Sequence, residues 1–133
     1  MIYGIGTDIL HSERINKLIL KYNKKFINRF FGKNEIKLSQ KKKNKALFFS
    51  KRFSAKSSFF KAFSSKNDKS IYFKDIEILS DPLGKPIVKL NDKTKYLAME
   101  KENKSKGKFE FYISLSDEPP NVLSFVIIFL APL

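Results

Sequence analysis

The residues best suited to chemistry in this sequence are cations standing where apolar side chains belong. From Ala46 to Phe63 the spacing predicts one helix. At about 100° per residue, Phe48, Phe49, Phe53, Ala55, Phe59, Phe60, Ala62 and Phe63 share one broad apolar arc. Arg52 and Lys56 fall inside that arc, one turn apart, while Lys61 lies across from it, one turn beyond Ser57. Cations centred on an apolar face cost desolvation unless they snorkel to the rim or something negative meets them. If an anion meets them, a ligand phosphate is the natural choice. Arginine offers it a bidentate fork and lysine a point charge.

Asp8 is the second signal. It follows Gly4-Ile5-Gly6-Thr7 at the end of an apolar run. A carboxylate near phosphate-binding cations is suited to a divalent metal that bridges to phosphate. The plainer alternative is a cap at the strand end or helix start. Gly4-x-Gly6 is not a dinucleotide fingerprint, because the third glycine is missing and the following residues are not helix-like. His11 is the only histidine and, near a helix start, reads as polar surface, and cysteine is absent, so no Ser-His-Asp or Cys-His arrangement and no histidine metal cluster is expected.

The elements that must position these groups can be read in order. Ile2 to Leu10 reads as a strand, and Ser12 is a candidate N-cap for a helix to about Tyr22. Phe26, Ile27, Phe30 and Phe31 suggest a short helix stopped near Gly32, and Asn34 can cap another. The lysine-rich stretch Lys41 to Lys45 is expected to be an exposed turn, and Ser64 to Ser70 a polar loop. Ile71 to Leu79 reads as a strand, Asp81-Pro82-Leu83-Gly84 as a turn, and Ile87 to Leu90 as a short strand. A helix is expected from Thr94 to Glu102. Phe109, Phe111, Ile113 and Leu115 alternate with Glu110, Tyr112, Ser114 and Ser116, the pattern of a half-buried strand. Val122 to Leu130 returns as its partner. The expected fold is α+β, a single domain over residues 1–133 with helices packed on a largely antiparallel sheet.

Composition narrows the setting. The net charge is +14, and all basic residues but Arg14, Arg29 and Arg52 are lysine. Such a field favours polyanions, phosphorylated cofactors or an acidic protein. Lysine on solvated faces is the competing explanation, since asparagine and isoleucine, which share its AT-rich codons, are also abundant. No apolar run reaches the roughly 18 to 20 residues a membrane span needs, and no signal-peptide pattern opens the chain. A cytoplasmic protein without a membrane partner is expected. The phenylalanines sit at core periodicity and no nucleic-acid-reading motif is present, so nucleic acid is not expected as a partner.

Four segments resemble one family. Ile2-Tyr3-Gly4-Ile5-Gly6-Thr7-Asp8-Ile9 looks like the start of holo-acyl-carrier-protein synthases, the small trimeric 4′-phosphopantetheinyl transferases. Lys51-Arg52-Phe53-Ser54-Ala55-Lys56-Ser57-Ser58-Phe59-Phe60-Lys61-Ala62-Phe63 resembles their central helix. Phe73 to Ile78 with Gly84-Lys85-Pro86 resembles the next strands, and Ile113 to Asp117 with Phe125 to Ile128 the closing hairpin. The matches run in order over nearly the whole chain. The resemblance implies a magnesium-dependent transfer of phosphopantetheine from coenzyme A to a serine of acyl carrier protein, with release of 3′,5′-ADP. It implies that Asp8 and the residue at position 57 hold the metal, and that Lys61 lies beside the reacting phosphate. Arg52, Lys56 and Lys61 would hold phosphates, and Arg14 would face the acidic carrier protein. A homotrimer with sites between subunits is implied as well. The sequence departs from the family in three places. Ser57 stands where the family has a metal-binding glutamate, Ser64-Ser65-Lys66-Asn67-Asp68 replaces a glycine-rich segment, and Asp117 stands where many members have histidine. A homologue that binds coenzyme A or carrier protein with little catalysis is the alternative.

Overall fold

The structure is a computed structural model and describes residues 1–65, 68 and 71–133. Strand β1 (Ile2–His11) leads into helices α1 (Ser12–Tyr22), α2 (Lys24–Phe30), α3 (Lys33–Ser39) and α4 (Lys45–Phe63). A 3-10 turn (Phe73–Asp75) precedes β2 (Ile76–Ser80) and β3 (Pro86–Leu90). Helix α5 (Asp92–Ser105) and strands β4 (Gly107–Glu118) and β5 (Asn121–Pro132) complete the chain. Both sheets are antiparallel: one has the order β1-β5-β4, the other is the β2–β3 hairpin. The α+β expectation therefore holds, with two sheets where one was expected. Four of the seven residues in the expected polar loop at 64–70 (66, 67, 69 and 70) lie outside the described residues.

Two glycines set how the central helix meets the sheet. A methyl group on Gly4 would overlap the Ala62 carbonyl oxygen, and one on Gly6 the Ser58 carbonyl oxygen. Two strand residues rise about 6.6 Å and four helix residues about 6 Å, so the two elements keep step as they run in opposite directions. The next step brings Asp8 to Ser54, whose hydroxyl lies 3.4 Å from the Asp8 carbonyl oxygen. Gly4-x-Gly6 is thus a device for close helix–strand contact. On the same helix face Ser54 and Ser58 share a buried hydroxyl cluster with Ser124 of β5, and the Ser124 hydroxyl also reaches the Ser54 carbonyl oxygen. Short side chains there let the helix lie close against two strands at once.

The phenylalanines of α4 feed two cores. Phe59 and Phe63 pack with Ile76, Val126 and Ile128. Phe49 packs with Leu10, Ile15, Phe26 and Phe31. Each phenylalanine fully buried is worth roughly 1.5–3 kcal/mol, so α4 is the shared spine of both.

Several boundaries differ from expectation for local reasons. His11, not Ser12, caps α1: its Nδ1 accepts from the Glu13 amide at 3.3 Å. Gly32 precedes α3, and Asn34 lies inside that helix. The expected strand from Ile71 begins only at Ile76, because the Asp75 carboxylate accepts the Tyr72 amide at 2.8 Å and closes a turn. The Asp81–Gly84 turn forms as expected, with Gly84 at φ 85° and its amide donating to the Asp81 carbonyl oxygen at 2.9 Å. Phe109, Phe111, Ile113 and Leu115 are half-buried while Glu110, Tyr112, Ser114 and Ser116 are exposed, as the alternation required.

The helix–strand contact yields a stability prediction. Gly6→Ala must push α4 away from β1, and overpacking of this kind costs about 3 kcal/mol. Urea denaturation of the parent and the variant should show a loss of this size. A loss below about 0.5 kcal/mol, the range of ordinary surface changes, would mean the contact is loose.

Candidate active site

The same contact brings Asp8 to two residues of α4. The Ser57 hydroxyl donates to Asp8 Oδ1 at 3.1 Å. Lys61, one turn further on, places its ammonium 3.5 Å from the same oxygen and 2.9 Å from the Thr7 carbonyl oxygen. The Asp8 side chain is 19% exposed and that of Lys61 55%, so the cluster opens to solvent on the lysine side. Asp8 does not close its strand: β1 continues to His11, which leaves the carboxylate on the strand's flank. Asp8, Ser57 and Lys61 are thus brought together.

Arg52 belongs to a second place on the same helix. Its guanidinium lies 3.9 Å from the Phe48 ring centroid and donates through Nη2 to the Ser80 hydroxyl at 3.4 Å. Its Nε is buried without a hydrogen-bond partner among the described residues. Burial works against this charge, and Glu35 partly offsets it. Beside it opens a cavity of about 230 Å³ lined by Lys42, Lys43, Asn44, Phe48, Lys51 and Arg52. Four of these are cations and none is acidic. Lys51 is paired with Asp117 at 2.8 Å, which places an acidic residue near the cavity's rim. The lysine run was read as an exposed turn, and its part in this cavity was missed. The available signal was that it directly precedes the helix carrying Arg52.

Lys56 corrects the sequence reading. It does not line this cavity and was expected to meet a ligand phosphate, but the anion it meets is the chain's own Glu35. The ammonium donates to Glu35 Oε1 at 2.6 Å and to the carbonyl oxygens of Phe30 at 2.6 Å and Phe73 at 3.1 Å. All three ammonium protons are used and both side chains are fully buried. Burial pushes the Glu35 carboxyl up, opposed by Lys56 and by the amides of Ile78 and Gly32. Burial likewise pushes the Lys56 ammonium down, opposed chiefly by Glu35. Glu35 carried no signal in the sequence that would single it out, since its partner lies on another helix. Arg14 is exposed on α1 and contributes nothing to either cluster.

A magnesium ion is tested by the donor set. Magnesium takes oxygen ligands in an octahedron and is held by one or two carboxylates with substrate phosphates and water. Ligands on adjacent corners at about 2.1 Å lie about 3 Å apart. Asp8 Oδ1 and Ser57 Oγ are 3.1 Å apart, which suits such an edge. The pair fits at the lower limit of charge, with one carboxylate and one neutral hydroxyl. Among the described residues no group of three or more acidic, histidine or cysteine side chains could hold a metal.

The fold that positions these clusters is shared with known proteins. The chain belongs to the 4′-phosphopantetheinyl transferase superfamily, whose family model matches residues 4–115. Within it, the chain is similar to holo-[acyl-carrier-protein] synthases. It is 46% identical over 130 residues to that of Orientia tsutsugamushi (strain Boryong), covering 96% of this chain and 97% of the relative. The crystal structure of the Neisseria meningitidis synthase superposes with a TM-score of 0.82 at 33% identity, covering 97% of this chain and 99% of that one. The Bacillus anthracis synthase, solved in complex with CoA (3′,5′-ADP), gives a TM-score of 0.74 at 28% identity over 96% of both chains.

The metal reading generates a direct test. Ligand charge tunes cation affinity, so Ser57→Glu should tighten magnesium binding about tenfold and Asp8→Asn should abolish it. Calorimetric titration of the protein with magnesium reads both. Equal affinity in all three proteins would remove Asp8 and Ser57 from the metal site.

Proposed function

We propose that this chain transfers 4′-phosphopantetheine from coenzyme A to a serine of apo acyl carrier protein, releasing 3′,5′-ADP, and so serves fatty acid synthesis in the cytoplasm. The observation that carries the reading is the Asp8–Ser57–Lys61 cluster, in which a carboxylate and a hydroxyl suited to a magnesium edge stand beside a solvent-facing ammonium. Arg52 and Lys61 are about 13 Å apart along the axis of α4 and face opposite sides of it, so the two would serve one coenzyme A across a contact between copies. Coenzyme A bears two separate anionic groups, the 3′-phosphate and the pyrophosphate, on either side of one ribose. Arg52 with its lysine-lined cavity suits the first, and Lys61 beside Asp8 suits the second. The likeness to synthases over nearly the whole chain supports the same assignment, as does the coenzyme A-derived ligand of the Bacillus anthracis relative.

The reaction follows from these placements. The serine hydroxyl of the carrier protein adds to the β-phosphorus of coenzyme A and gives its proton to water. The bond from that phosphorus to the bridging oxygen of 3′,5′-ADP breaks. Lys61, anchored on the Thr7 carbonyl oxygen, turns its remaining protons to the phosphate and balances its charge. Ser57 and Lys61 together hold the Asp8 carboxylate in place. Magnesium bound by Asp8 and Ser57 would polarise the pyrophosphate as a Lewis acid.

Arg14, Lys17 and Lys21 are exposed along α1 and form a basic face suited to an acidic carrier protein. The β1-β5-β4 sheet supports a homotrimer. Its face away from α4 exposes Ile5, Ile9, Tyr112, Leu123 and Phe125, an apolar surface that a second copy of the sheet could cover. Ser57 favours one further reading, in which coenzyme A is bound and transfer is slow, because a hydroxyl brings no charge to the metal.

Three measurements test these statements. Mass spectrometry of apo acyl carrier protein incubated with the protein, coenzyme A and magnesium should show a gain of one phosphopantetheine. No gain, with coenzyme A still bound, would favour the slow reading. Arg52→Met keeps the bulk against Phe48 and should weaken coenzyme A binding by at least about 2 kcal/mol, the loss typical of a buried charge contact. Unchanged calorimetric affinity would place the phosphates elsewhere. Sedimentation equilibrium should give the mass of a trimer, and a monomer at micromolar concentration would refute shared sheet faces.

A further inference from the structure

Outside the two clusters, the Lys56–Glu35 pair is a buried charged group that the proposed reaction does not use. Its hydrogen bonds reach unusually far. Lys56, on α4, holds the carbonyl oxygens of Phe30, at the end of α2, and Phe73, in the 3-10 turn. Glu35, on α3, accepts from the Gly32 amide through Oε1 and from the Ile78 amide of β2 through Oε2, each at 3.0 Å. One ion pair therefore ties α4 to four other segments. Buried pairs are poor sources of stability, since apolar side chains of equal size often do as well. Directional bonds to the backbone are what such a replacement could not supply.

Two of the tied segments, α3 and β2, lead directly to groups beside Arg52. Ser80, which accepts from Arg52, ends the strand whose Ile78 amide Glu35 holds. Lys42 and Lys43 line the Arg52 cavity from the connection between α3 and α4. Helix α3 is pinned a second time from β2, because the Glu77 carboxylate accepts the amides of Asn34 at 2.9 Å and Glu35 at 3.2 Å. The Asp8 cluster is held differently, by the glycine contacts of β1 with α4 and by the Ser54, Ser58 and Ser124 hydroxyls. None of those contacts includes Glu35 or Lys56.

We infer that Lys56 and Glu35 are positioning residues for the Arg52 anion cavity: they fix α3 and β2, the segments that lead to its lysines and to Ser80, and with them affinity for coenzyme A, while leaving phosphoryl transfer at Asp8 and Lys61 alone. The inference rests on the coenzyme A reading above and adds residues that touch no ligand. The test uses a double variant, Glu35→Leu with Lys56→Met, which removes both charges and keeps the bulk, and the milder Glu35→Gln. Coenzyme A affinity, KM and kcat are measured together with the Arg52 Nε–H signal in nitrogen-15 NMR without ligand. Misplacement of a binding group by about 1 Å can cost up to about a hundredfold. In the folded double variant the dissociation constant and KM for coenzyme A should rise at least about tenfold while kcat stays within about threefold. The Arg52 signal should shift or broaden, and Glu35→Gln should change each quantity in the same direction by less. Unchanged affinity and an unchanged Arg52 signal would overturn the inference. So would a fall in kcat at constant KM, or loss of folding in both variants, which would make the pair a stability element only. If the parent does not bind coenzyme A but the Arg52 signal still moves, the positioning stands and the coenzyme A reading falls.

Discussion

The close approach of α4 to β1 is the constraint on which the rest depends. It needs two missing side chains, at Gly4 and Gly6, and short ones at Ser54 and Ser58. Because strand and helix advance at nearly equal rates over two and four residues, the contact extends for several steps without slipping. Asp8 is the residue at which the sequence stops being glycine and apolar and offers a carboxylate. It meets Ser57 and Lys61 because the helix is already there. The site is a consequence of the contact, and β5 reinforces it from the neighbouring strand through Ser124.

Charge in this molecule is divided by depth. The surface carries most of an excess of fourteen positive charges, almost all lysine. Below it, a few carboxylates are placed singly, each with a defined duty. Glu35 meets Lys56, Glu77 holds the start of α3, and Asp75 closes a turn while pairing with Lys93 at 2.8 Å. Burial alone would raise the Asp75 carboxyl. Hydrogen bonds from Lys93, Tyr72 and Asn91, with the Lys93 charge, outweigh it and hold the group below the usual range. Arg52 differs from these buried groups: its guanidinium has a ring and a weakly placed hydroxyl, its Nε has no partner among the described residues, and lysines stand around it. That arrangement suits an anion from outside, whereas Lys56 is already complete.

Much of this was legible in the residues, and the losses have physical causes. The amphipathic arc of α4, the alternation in β4 and the Asp81–Gly84 turn are local patterns, and local patterns survive folding. Asp8 was singled out by its place after the apolar run and the family resemblance joined Ser57 and Lys61 to it, and the structure brings the three together. Lys56 was misread because the sequence shows that a buried cation needs an anion but not which one. Its partner lies 21 residues earlier, on a different helix. The two glycines were read against a nucleotide fingerprint, when their role is steric and involves a helix about fifty residues away. The division into two sheets was invisible for the same reason, since strand pairing is not written in any one strand.

The sheet order has a consequence for how the molecule comes to exist. β1 is bonded to β5 alone, Ile9 facing Leu123 and Gly6 facing Val126, so the first strand of the chain waits for the last. Pairings of such long separation slow folding, because the connecting chain loses its freedom before the contact rewards it. During synthesis the glycine-bearing strand and the phenylalanine-rich helix are both made well before β5 leaves the ribosome. Until then one edge and one apolar face have no cover, a state open to chaperones and to aggregation. Shortening β5 at its Leu130 end, far from Asp8, would still loosen the strand that carries Asp8.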